Sequence, residues 1–83
     1  MPVAVRTVLD DRVARYVRRV KEEQHATEAA VVQDLVQTGY ERMLRDLHAR
    51  YHNGELTFRM VASKLGLSVR ELYELFEQKG LPV

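Results

Sequence analysis

From Val3 to Leu9 apolar and polar positions alternate with a period of two. Val3, Val5, Thr7 and Leu9 fall on one side, and Ala4, Arg6 and Val8 on the other, the pattern of a short amphipathic strand. At Asp10 and Asp11 the period changes to that of a helix. Either aspartate can cap it, and Val13, Tyr16 or Val17, and Val20 supply an apolar stripe as far as Glu23. A polar break, "EEQHA", follows, and Thr27 caps a second, long helix with Glu28 at its positive end. Its stripe continues through Val32, Leu35, Val36, Tyr40, Met43, Leu44, Leu47 and Tyr51. Gly39 sits within that stripe, where it weakens the helix and suits the close approach of another.

"HNGE", His52 to Glu55, is a turn signal and the expected boundary between a first module, 1–51, and a second, 52–83. In the second module Thr57 caps a short helix to Leu65, and "GLS" breaks it. Ser68 opens a last helix with Glu71 at capping-box spacing. Val69, Leu72, Leu75 and Phe76 are expected to face inward, and Gly80 and Pro82 end the helix. Met43 and Met60 are read as core. "MVASKLGLSVRELYEL" has helix-turn-helix spacing, with small Ala62 at the crossing and Gly66 free to take the turn's left-handed backbone.

A lone strand cannot satisfy its own backbone N–H and C=O groups, and nothing downstream reads as a second one. The pattern therefore predicts antiparallel pairing with the same strand of a second copy about a two-fold axis. The expected fold is mainly α: a ribbon-helix-helix homodimer with one intersubunit strand and two helices, followed by a helix-turn-helix. Eighty-three residues bury a thin core, which favours association.

Residues 3–40 resemble the ribbon-helix-helix repressors of the Arc and MetJ group. The likeness rests on the alternation ending at Leu9, the "LDDRVARYVRRVKEEQ" helix, and the short loop before Thr27 with "AAVVQDLV" behind it. The resemblance implies a dimeric regulator of transcription whose ribbon enters the DNA major groove with Ala4, Arg6 and Val8 outward. Members usually present more polar groups there. Only Arg6 has the bidentate donors that discriminate guanine, while Ala4 and Val8 offer apolar contact to a thymine methyl. Against this stands Arg6 as a solvated strand residue. Thr27, at the start of the long helix, is in the resemblance a phosphate seat and otherwise a plain cap. Sparse base contacts imply further dimers on tandem sites.

The last third is similar to the C-terminal half of a small prokaryotic family of proposed antitoxins. It shares the Gly54-Glu55-Leu56-Thr57 start, the helix-turn-helix and the closing Lys79-Gly80-Leu81-Pro82. That likeness implies an autoregulating antitoxin whose partner is a PIN-domain ribonuclease toxin. Lys64, Arg70 and Arg59 are its candidate phosphate contacts. Glu71, Glu74 and Glu77 on the same last helix argue instead for a protein-interaction module, toxin-neutralising or scaffolding, without direct DNA binding.

Charge changes this picture little. The net charge is +1, but residues 1–24 hold Arg6, Arg12, Arg15, Arg18, Arg19 and Lys21 against four carboxylates, so any basic surface belongs to the first module. With no cysteine, no signal-peptide core and no apolar run of membrane-spanning length, a soluble cytoplasmic protein is expected. His48 and His52 lie one turn apart, but Ala49 removes the metalloprotease pattern and only Asp46 or Glu55 suggests a third ligand. They read as solvated histidines near a helix end. Ser63 and Ser68 have no triad partners, and no glycine loop suits a phosphate. No enzyme, metal or cofactor is expected.

Overall fold

The computed structural model describes all 83 residues and contains four helices: α1 (Asp11–Gln24), α2 (Glu28–His52), α3 (Phe58–Leu65) and α4 (Val69–Gln78). The chain divides into two compact units, Met1–Thr38 and Gly39–Val83, and the division falls inside α2. The reason lies in the burial: Leu44 and Leu47 of α2 belong to the core that α3 and α4 complete.

There is no strand and no sheet. The expected ribbon at Val3–Leu9 is overturned, and the ribbon-helix-helix homodimer with it. Residues 1–10 form no regular element, and Val3, Val5 and Val8 are exposed. Alternation marks which side chains would share a face if the chain were paired, but pairing itself needs a second row of donors and acceptors. This chain contains none, so the backbone of the segment is left to water.

In unit 1, Asp10 caps α1, its carboxylate accepting from the N–H groups of Arg12 (3.0 Å) and Val13 (3.1 Å). The helix ends at His25, which takes the left-handed conformation (φ 53°), and the Ala26 N–H closes onto the Lys21 carbonyl at 3.1 Å. Val17 and Val31 are the buried side chains of this unit. Leu35 and Val36, expected to continue an inward stripe, are exposed.

Unit 2 is built differently. Leu44, Leu47, Leu56, Val61, Ala62, Leu72 and Phe76 form one buried cluster, with Phe58, Leu65 and Leu75 among the half-buried residues around it. Phe58 meets Tyr51 and Phe76 edge to face, with ring centroids 5.5 and 5.8 Å apart. Ala62 is small and buried, as a crossing requires. Val69, Met43 and Met60 are not in this core: each is more than two-fifths exposed. Gly39 has open space where its Cβ would stand, so no helix of this chain approaches it closely.

Candidate functional site

The hairpin of α3 and α4 rests on three local devices. The Thr57 hydroxyl accepts from the Met60 N–H at 3.1 Å and starts α3. Gly66 ends it in the left-handed region (φ 71°), and the Leu67 N–H returns to the Ala62 carbonyl at 2.9 Å. Ser68 and Glu71 then form a reciprocal capping box: the serine hydroxyl accepts from the Glu71 N–H, and the glutamate accepts from the Ser68 N–H. The Ser68 backbone N–H, and after it the Ser68 side chain, hold the Glu71 carboxyl below its ordinary range. The result is a short helix, a tight turn and a second helix with a core of its own.

This hairpin carries Lys64 in the last turn of α3 and Arg70 in the first turn of α4, both exposed. Arg70 makes an ion pair with Glu74 one turn on (3.4 Å), so its guanidinium already faces a carboxylate. The remaining candidates lie in unit 1. Ala4, Arg6 and Val8 stand on exposed irregular chain, without the ribbon that was to carry them into a groove. Thr27 is occupied as a cap: its hydroxyl accepts from the Ala30 N–H at 3.1 Å, and neighbouring Glu28 lies 3.6 Å from Lys21.

Two features are not legible in the sequence. The first is how much apolar surface unit 1 leaves uncovered. A groove of about 760 Å³ lies between residues 1–10 and the start of α2, lined by Val3, Val5, Leu9, Ala29, Val32 and Val36, with Arg6 and Glu28 among its polar residues. A smaller one of about 240 Å³ is lined by Tyr16, Val20, Val31 and Leu35. Along α1, Arg12, Arg15 and Arg18 are exposed and enter no ion pair, whereas Arg19 is held by Glu23 at 2.9 Å.

The second is a histidine pair in unit 2. His48 and His52 are not simply solvated: the Nε2 of each lies within hydrogen-bond distance of the Pro82 carbonyl oxygen, at 2.6 and 2.8 Å. Their one-turn spacing is visible in the sequence; the return of residue 82 to meet them is not.

No helix is long and apolar enough to cross a membrane, and no group of three or more histidine and carboxylate side chains is placed to hold a metal. No family model, curated protein or solved structure matches the chain.

Proposed function

We propose that this protein is a self-associating DNA-binding regulator, acting as the autoregulating antitoxin of a toxin–antitoxin pair. The observation that carries the self-association is the apolar surface of unit 1. Val3, Val5, Val8, Val13, Tyr16, Leu35 and Val36 range from 38% to 96% exposed while only Val17 and Val31 are buried. Most of the large apolar side chains of this unit are thus left uncovered, a surface that favours a partner. A second copy is the favoured occupant. The larger groove includes both Arg6 and Glu28, so a two-fold arrangement can set each arginine against the opposite glutamate. Helical and irregular surfaces make this contact, with no shared sheet.

DNA binding is supported by the helix-turn-helix, by exposed Lys64 and Arg70, and by the unpaired Arg12, Arg15 and Arg18 of α1. Dimerisation doubles each of these, which matters for a monomer of net charge +1. The antitoxin setting and a ribonuclease partner rest on the resemblance of residues 51–83.

A second reading is favoured by a specific observation. Arg70 is paired with Glu74, and Glu71 and Glu77 add carboxylates to the same helix, a surface suited to a basic protein rather than to a polyanion. A gel-shift series on the DNA upstream of the protein's own gene separates the two. The DNA reading expects a specific complex that weakens tenfold or more as salt rises from roughly 50 to 200 mM, and further weakening in Arg70→Ala or Arg12→Ala/Arg15→Ala. Absence of a shift at any salt, with a stable complex formed by an adjacently encoded ribonuclease, selects protein binding alone.

A further inference from the structure

We infer that the second copy docks along α2, its own α2 lying antiparallel across an apolar face that runs from Ala29 to Met43. This rests on the self-association proposed above and names the seam that makes it. Ala29, Val32, Val36, Gly39, Met43 and Asp46 recur at alternating intervals of three and four residues along α2, the spacing of a helical seam. Val36 is 66% exposed and Met43 46%, with Leu35 (39%) and Tyr40 (36%) beside them. Over Gly39 the space is open: a Cβ added there would meet nothing within 4 Å. The buried residues of the same helix, Val31, Leu44 and Leu47, lie off this row. α2 therefore carries a second apolar face that the chain itself leaves open.

The face fits itself, which selects a second copy as its occupant. With a two-fold axis at the level of Gln37 and Thr38, Val36 of one helix lies opposite Gly39 of the other, Val32 opposite Met43, and Ala29 opposite Asp46. Valine fills the space that glycine leaves. Met43 enters the groove of about 760 Å³ beside Val32, where an unbranched side chain suits an irregular space. Asp46 is exposed and makes no ion pair in its own chain. Arg6 lines the groove together with Ala29, so the Asp46 carboxylate arrives on the side of a cation.

Other registers and the parallel orientation fit worse. A shift of one seven-residue repeat in one direction sets Asp46 and Arg50 against Val36 and Val32, which puts charge on the apolar row. The same shift in the other direction leaves Met43 beyond the start of the opposing α2. A parallel pair brings Asp46 against Asp46, leaves the two Gly39 gaps facing each other, and aligns the helix dipoles.

Cross-linking reads the register directly, because the chain has no cysteine of its own. Full-length Val32→Cys and Met43→Cys chains are mixed and gently oxidised, and the linked pairs are weighed by mass spectrometry. In the antiparallel seam the crossed pair is close, whereas two copies of position 32 stand about 16 Å apart along the axis, beyond the span of a disulfide. The crossed product should exceed either like-with-like product by roughly tenfold or more. Gly39→Leu has room in the isolated chain. It should weaken self-association in light scattering by roughly tenfold or more, since the added side chain overfills the seam, with helix content by circular dichroism unchanged. A statistical mixture of the three products, a preference for like-with-like pairs, or undiminished association of Gly39→Leu would overturn the seam while self-association stands. The mass of one chain at every concentration would overturn both.

Discussion

Ser68 and Glu71 show how much one local exchange of hydrogen bonds decides. The serine hydroxyl and the glutamate carboxylate each satisfy a backbone N–H that the first turn of α4 would otherwise leave open. Ser68→Ala is expected to cost about 1 kcal/mol, read as a lower urea midpoint at unchanged slope. The Glu71 carboxyl titrates below its ordinary range because the ionised form accepts the Ser68 N–H. Its contribution is therefore fully present above the usual carboxylate range and is lost as pH falls through the depressed value. Glu71→Gln should flatten that part of the acid limb of a stability–pH curve and leave stability near pH 7 lower by the lost charge-assisted bond.

At the scale of the elements, two glycines behave oppositely. Gly66 holds φ 71° at the turn between α3 and α4, where an L-residue is strained. Gly66→Ala should destabilise by about 1–2 kcal/mol and loosen the hairpin, seen as faster amide exchange in α3 and α4. Gly39 lies within α2, and a methyl group added there would meet nothing within 4 Å. Gly39→Ala should raise the stability of the isolated chain by up to about 1 kcal/mol in dilute denaturation experiments. If the same change also weakens self-association, a second copy crosses α2 at this glycine.

The helices are legible in the sequence because their ends are written in single residues. Asp10, Thr57 and Ser68 all cap where their side chains permit it, and Gly66 stops α3 by its backbone freedom. The segment 3–9 misleads for an equally physical reason. A period of two describes side chains, whereas a strand is defined by hydrogen bonds to a neighbour that lies elsewhere. The inward stripe expected for α2 is likewise only half correct: Leu44 and Leu47 are buried, while Leu35, Val36 and Met43 on the same helix are not.

For the whole molecule, the contrast between the units sets the expectation. Unit 2 has a continuous apolar cluster; unit 1 has two buried valines and open grooves. Light scattering should give a mass that rises with concentration, and Val36→Glu should return it to that of one chain, since a charge in a closing apolar face is costly. The same substitution should leave the thermal transition of unit 2 in place. Loss of that transition would mean the units do not melt separately.

The sequence by itself determined the approximate limits of the four helices, the left-handed turn between α3 and α4, and part of the apolar core of the helix-turn-helix. These depend on residues within a turn or two of one another, or on apolar spacing along one helix. Only the tertiary structure decided that residues 3–9 form no strand, that the apolar stripe of α2 is covered in one half and bare in the other, and that Pro82 returns to His48 and His52. Each of these depends on what lies opposite a residue in space, and no local pattern along the chain encodes that.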